Sequence, residues 1–271
     1  MAAFDITLVH LNASYGEHVV LKDLNCTLPE GSISVILGGS GCGKSTLLRH
    51  IIGLKKPSHG QILINGQDLF ALAKRDFRRL RRQMGVLFQD GALLGAMTLA
   101  ENVALPLTEH LNLPKAMLLA EAKRVLELVG LGSETELYPH QLSGGMRKRA
   151  GLARAMITNP RILLCDEPTS GLDPITAARM DDLLLFLHHK FPAMTIVCVS
   201  HDLASLTKIA DYVLVLKDGT SIFAGTVAEL NKATDPYLKQ FLAREGGESA
   251  NVYEKSMEPR VNAALQKWLT T

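Results

Sequence analysis

Short apolar runs alternate with stretches of helical spacing along most of the chain, an order that predicts an α/β fold. Asp5–Leu11 alternates apolar and polar residues, and Val19–Leu28 stops at Pro29-Glu30-Gly31, so both read as strands. Ser32–Leu37 is a β-branched run that ends in a glycine-rich turn, and Lys44–Gly53 then has helical spacing. Gln61–Ile64 and Met84–Phe88 are further strands. Between about Thr98 and Asn159 the alternation stops. Leu99–Leu105, Pro114–Val129 and Gly144–Thr158 read as helices with proline or glycine punctuation and no strand between them. Alternation resumes with strand Arg161–Cys165, helix Pro174–His189, strand Met194–Ser200, helix Leu203–Ile209, and strands Tyr212–Leu216 and Ser221–Ala224. The expected architecture is a mostly parallel sheet interrupted by a helical insertion, with a short helix-rich segment from about Thr226.

Composition narrows the class. The chain has 271 residues, 47% of them hydrophobic, enough for a sizeable core in one large domain or two small ones. A formal charge of only +2 and a high apolar fraction argue against disorder, and no charge excess points to nucleic acid. Aromatic residues make up 5%, which leaves few platforms for stacking bases, so no nucleic-acid partner is expected. No apolar run approaches the ~18–20 residues of a spanning helix. Met1–His10 carries Asp5 and lacks the basic and apolar regions of a secretory signal. Cys26, Cys42, Cys165 and Cys198 form no C-x-x-C pair and read as free thiols of a reducing compartment. A cytoplasmic location follows, with any membrane association made through a partner.

The chemistry begins at Gly38-Gly39-Ser40-Gly41-Cys42-Gly43-Lys44-Ser45-Thr46, which fits G-x-x-x-x-G-K-[ST] between a strand and a helix. Glycines let successive backbone N–H groups turn inward around a phosphate without a Cβ clash, and the following helix aims its positive end at the same anion. Lys44 supplies a mobile charge for β- and γ-phosphates, and the Ser45 hydroxyl is a magnesium ligand. A chance glycine-rich turn is the competing reading, and the strand–loop–helix context weighs against it.

Ile162-Leu163-Leu164-Cys165-Asp166-Glu167 is a buried strand ending in two carboxylates, expected to open on the same crevice. There Asp166 is placed to hold Mg²⁺ and Glu167 to polarise an attacking water. Alone, the pair would be an ordinary strand end; its meaning comes from the Lys44 loop. Leu142-Ser143-Gly144-Gly145-Met146-Arg147-Lys148-Arg149 opens a second helix with a capping serine and two glycines, a second N-terminal anion trap. One loop and one separate trap invite a head-to-tail dimer, each ATP lying between the loop of one subunit and the trap of the other.

These three motifs, in this order, resemble those of the ABC (ATP-binding cassette) ATPases, with Leu142–Met146 at the position of the LSGGQ signature. The resemblance runs to about Leu230. It implies a P-loop core, residues 1–90 and 160–230, with an antiparallel β subdomain. It also implies an inserted α-helical signature subdomain, 91–159, and a C-terminal extension, 231–271. Tyr15 matches the adenine-stacking aromatic, though a partly exposed strand-end tyrosine is the plainer reading. Gln89 resembles the glutamine that touches Mg²⁺ and water and links the site to the membrane partner. Ser170-Gly171-Leu172-Asp173 resembles the D-loop that crosses the dimer, and His201 the switch histidine on the γ-phosphate. Met146 departs from the usual glutamine; ATP sandwiching is expected to survive, with altered sugar contacts or turnover. The implied cofactors are ATP and Mg²⁺, and the implied assembly is a homodimer on an integral membrane permease.

Within the family, Phe88–Leu94, Met97–Leu107, Glu109-His110, the Met146 signature and Asp166–Ile175 resemble ATPases of MCE-type lipid transport, above all the MlaF type of the Mla phospholipid system. That resemblance implies an inner-membrane complex, with the ATPase on the cytoplasmic face, an MCE-domain protein, a STAS-domain regulator and phospholipid cargo that supports outer-membrane asymmetry. Other readings stay open. An amino-acid, metal or lipoprotein-releasing transporter ATPase shares every catalytic motif. A soluble ABC protein would have a second cassette or a long coiled coil, and a P-loop kinase would have no use for Leu142–Gly145. The basic run Lys74–Arg82 is either a solvated helix face or a contact for the permease or inner leaflet. In the tail Glu248–Thr271, Val261, Ala264, Leu265 and Trp268 fall at helical spacing, suited to packing on a neighbouring subunit or regulator, or on its own cassette.

Overall fold

The protein is described from a computed structural model, which covers residues 4–203 and 208–243. Residues 1–231 form one compact unit and residues 232–271 a second. The proposed tail helix with Trp268, and most of the helix expected over Leu203–Ile209, lie outside the described residues.

The first unit contains two sheets. The larger has six strands: β3 (Ile33–Gly38), β6 (Met84–Leu87), β7 (Ile162–Asp166), β8 (Thr195–Val199), β9 (Tyr212–Lys217) and β10 (Thr220–Thr226), in the order β10-β9-β3-β8-β7-β6. Pairing is parallel from β9 through β6, and β10 closes the edge antiparallel to β9. Strands β3 and β8 are buried at every position, which explains their continuous apolar runs: helices cover both faces of a parallel sheet.

The smaller sheet is antiparallel, β2-β1-β4-β5, from β1 (Ile6–Tyr15), β2 (His18–Leu28), β4 (His59–Ile64) and β5 (Gln67–Asp68). Strand β1 alternates buried and half-exposed positions over its first residues because only one face meets the core. Leu8, Leu24 and Ile62 of this sheet join Leu47 and Ile51 of helix α1 (Lys44–Ile51) and Ile36 of β3 in one hydrophobic cluster. The period-two pattern of β1 thus marks strands outside the parallel sheet that the alternation as a whole predicts.

The insertion is helical as expected, with α3 (Leu99–Thr108), α4 (Lys115–Leu128), a 3-10 turn at Pro139–Gln141 and α5 (Gly144–Met156); a basic helix, α2 (Lys74–Arg81), precedes β6. Thr98 and Glu101 cap α3 reciprocally, and α3 runs through Pro106 instead of stopping at Leu105. Fully buried Asn102 donates to the carbonyls of Leu94, Met97 and Thr98 and accepts from Leu94 N–H, fixing the loop that enters the helix. Helix α6 (Pro174–Lys190) joins β7 to β8, and α7 (Val227–Leu230) follows β10. The second unit, as described, contains α8 (Pro236–Ala243). All four cysteines are free, and burial pushes the Cys26 thiol up to about 12. Among the described residues no helix is long and apolar enough to cross a membrane.

Candidate functional site

Strand β3 delivers Gly38 to the mouth of the sheet, and the loop to α1 turns there on positive-φ glycines. At Gly38 the crowding is decisive, since a Cβ would lie 2.3 Å from the Leu216 carbonyl oxygen. Gly43, the N-cap of α1 at φ 105°, places no side chain on the first-turn N–H groups, so that helix end is left to an anion. Lys44 is 8% exposed, and its ammonium donates to the carbonyl oxygens of Gly38 (2.8 Å) and Gly39 (2.9 Å). Its charge is thereby held over the cradle.

Strand β7 is not the immediate neighbour of β3, because β8 lies between them. Ser45, in the first turn of α1, spans the gap and donates its hydroxyl to Asp166 Oδ1 at 3.3 Å. Burial raises the Asp166 carboxyl above the usual range, opposed by the Ser45 bond and reinforced by Glu167. Glu167 has φ 52°, a left-handed conformation that costs a non-glycine residue on the order of 1–3 kcal/mol. Its N–H donates to Val199 O (2.9 Å), and its carboxylate Oε2 lies 2.8 Å from His201 Nδ1.

One crevice of about 500 Å³ gathers Ser40, Gly41, Gly43, Lys44, Ser45, Thr46, Gln89, Glu167, Ser170 and His201. Gly39 contributes through its carbonyl to Lys44, and Cys42 is buried in the loop beneath. Residues distant in sequence thus converge on the phosphate loop. His201, expected to meet a γ-phosphate, here bonds the Glu167 carboxylate, and its own side chain is 63% exposed.

The signature lies elsewhere. Ser143 caps α5, its Oγ accepting from Met146 N–H at 3.2 Å. Ser143, Gly145 and Met146 line a separate hollow of about 420 Å³, and Gly144 opens the same helix. Asp173 caps α6, its Oδ1 accepting from the N–H groups of Ile175 (3.1 Å) and Thr176 (3.0 Å). Tyr15, at the end of β1, is 43% exposed and carries the Lys55 ammonium 3.2 Å from its ring centroid. It is not among the residues that line the crevice.

Three features escaped sequence reasoning. Lys148, only 5% exposed, donates to Glu167 O (2.7 Å) and Ser170 O (2.6 Å). Burial pulls its ammonium below the usual lysine range, while Asp90, Glu167 and Asp166 favour the charge. Arg154 donates to Ala92 O (2.8 Å) and Gly91 O (2.9 Å), tying α5 to the segment after Gln89. Gly151 permits the approach, since a Cβ there would lie 2.8 Å from Gly91 Cα. Nothing in Arg147-Lys148-Arg149 says which basic residue is buried.

Comparison with known proteins agrees with this geometry. The family model described as "ABC transporter" matches residues 21–170. A relative from Mycobacterium bovis, "Probable ribonucleotide transport ATP-binding protein mkl", is 40% identical over 232 residues, 86% of this chain and 64% of that protein. The chain therefore spans less than two thirds of that relative. The "Methionine import ATP-binding protein MetN" of Caulobacter vibrioides is 39% identical over 249 residues, 90% of this chain and 74% of that protein. Among solved structures, the ATP-binding cassette MJ0796, a dimer bound to ADP and Pi, superposes with a TM-score of 0.74 at 32% identity, covering 82% of this chain and 98% of that one. The phosphate loop, the carboxylate strand and the capped glycine helix are thus parts of one known architecture, and the chain belongs to the ABC transporter family.

Proposed function

We propose that this chain is the ATP-hydrolysing subunit of a phospholipid transporter, working as a homodimer docked on a membrane permease. The observation that carries the ATPase reading is the separation, within one chain, of the Lys44 crevice from the Ser143 helix end. Each is half of a triphosphate site, and two copies placed head to tail complete both. The dimeric MJ0796 cassette supports this arrangement.

In the proposed cycle, loop N–H groups and Lys44 bind the phosphates of one ATP while Ser143 and the amides of α5 in the twin close over them. Glu167 accepts a proton from the attacking water, and His201 moves from the carboxylate to the γ-phosphate as the crevice fills. Ser45 and Gln89 line the crevice, and Asp166, bonded to the Ser45 hydroxyl though not itself in the lining, adds a carboxylate; such hard oxygen donors suit Mg²⁺, which takes few protein ligands beside phosphate oxygens. When bound there, the ion would neutralise charge on the phosphates. Loss of the γ-phosphate removes the differential binding that favours closure, which reopens the dimer. The Asp173 loop crosses to the twin, and Tyr15 stacks the adenine.

A groove of about 700 Å³ supports the permease contact. It is lined by Arg78, Arg81 and Arg82, by Arg154 of α5, and by apolar Phe88 and Leu105. It adjoins the Gln89 segment, so a helix seated there would be moved by closure. Arg79, which the basic run also suggests as a contact, is not part of the lining. Reversing Arg78 and Arg81 to glutamate is expected to weaken co-purification with the membrane subunits by ~10-fold or more. Hydrolysis by the free chain should stay within about two-fold, because neither residue reaches the crevice. Unchanged assembly would return α2 to a solvated helix.

Phospholipid as cargo, with an MCE-domain protein, a STAS-domain regulator and a position on the cytoplasmic face of the inner membrane, rests on the Phe88–Leu107 stretch and the Met146 signature. The mkl and MetN names favour a second reading, an importer of a small polar solute. Isolating the chain with its membrane partners and identifying the bound molecule by mass spectrometry separates the two. Phospholipid enriched over the surrounding membrane supports the first; a bound amino acid or nucleoside overturns it.

A further inference from the structure

We propose that Lys148, on the two-site dimer reading above, is the positioning residue through which a twin's ATP at Ser143 sets the placement of Glu167 and Ser170 in its own subunit. Three contacts near the start of α5 carry this. Ser143 caps α5 ahead of two glycines, the end that meets the twin's triphosphate on that reading. Gly145 sits so close to α6 that a Cβ would lie 2.5 Å from Thr176 Cγ2, so the first turns of the two helices pack in direct contact. Lys148, the next turn on, grips Glu167 O at 2.7 Å and Ser170 O at 2.6 Å.

The grip falls on a backbone that needs holding. Glu167 stands at φ 52°, and its main chain is restrained by Lys148 at the carbonyl and by Val199 at the N–H. A buried ammonium bonded to two carbonyls is a short, stiff, directional link. A small displacement of α5 therefore displaces Glu167 along with Ser170, which lines the same crevice. Since each trap belongs to the twin's nucleotide, hydrolysis in one crevice becomes dependent on ATP in the other. That is a coupling between sites with a named mechanical element.

Lys148→Met keeps the length and apolar stem but removes the donors, whereas Lys148→Arg keeps them. For Lys148→Met we expect kcat to fall ~10–100-fold, ATP affinity to stay within about two-fold, and the Hill coefficient for ATP to drop to about 1. Arginine should restore both. Wild-type kcat and cooperativity in Lys148→Met would overturn the proposal, as would parallel loss of affinity and kcat with cooperativity intact. A wild-type protein that hydrolyses ATP as a monomer would instead overturn the two-site reading. Should Lys148→Met fail to fold, hydrogen exchange on a mixed dimer of Lys44→Ala and Glu167→Gln chains decides. In the Lys44→Ala chain, whose own loop has lost its phosphate lysine while its Ser143 end still meets the twin's ATP, residues 167–172 should gain protection on adding ATP; no gain there would sink the link.

Discussion

Replacing Glu167 with glutamine is expected to cut ATP hydrolysis by ~10²–10⁴-fold, the usual contribution of a positioned general base. Binding of ATP should survive. The amide has the shape of the carboxylate but cannot take the proton of the attacking water, and the groups proposed to hold phosphate are on a different strand–loop–helix unit. The backbone at Glu167 is gripped through its carbonyl by Lys148 and through its N–H by Val199, so the side-chain change leaves the strained turn in place. Its carboxylate contact to His201, 2.8 Å, can persist as a hydrogen bond to the amide oxygen, since His201 Nδ1 can donate. With cleavage blocked and binding intact, the ATP-bound closed dimer should accumulate, seen as a dimer peak in size-exclusion chromatography that requires ATP. Near-normal turnover would remove Glu167 from the role of base.

How much of this was legible beforehand follows from the kind of constraint at each residue. Gly38 through Thr46 could be read because a phosphate cradle needs glycines and a lysine at a fixed spacing along one segment. Asp166 and Glu167 were readable only beside it. Strands β3, β7 and β8 announced themselves as continuous apolar runs because both faces are covered. The placement of β8 between β3 and β7 has no local signal, since strand order is decided by long-range pairing. Lys148 was hidden for a related reason. A lysine among arginines on a helix reads as surface, and its burial depends on two carbonyls about twenty residues away. The Lys55 contact to Tyr15 was equally invisible, because forty residues of chain and a strand pairing bring the two together.

Changing Lys44 to alanine should abolish the ATPase more completely than the Glu167 change, because it acts before chemistry. Each charge-assisted bond to a phosphate oxygen contributes about 1.5–3 kcal/mol, so losing two implies ~10²–10⁴-fold weaker ATP binding. In the chain itself the ammonium also bridges Gly38 O and Gly39 O, and alanine removes both bonds, leaving Gly39 O only the Cys42 N–H at 3.4 Å, so some loosening of the loop accompanies the lost charge. Thermal unfolding separates the effects: a melting point near wild type with no ATP binding identifies the charge as the cause. The same variant tests the shared pocket, because its Ser143 end is intact. Ser143→Arg has the converse defect, a blocked trap beside a working loop. Each homodimer should be inactive, yet a mixed dimer rebuilds one complete site from the loop of one chain and the trap of the other. Equal mixing yields half mixed dimers with one of two sites each, so about a quarter of wild-type activity is the ceiling for independent sites; coupling through Lys148 holds the return below it, because the chain with the working loop meets no ATP at its own Ser143 end. A Ser143→Arg homodimer as active as wild type would mean that each chain hydrolyses ATP without its twin's helix end.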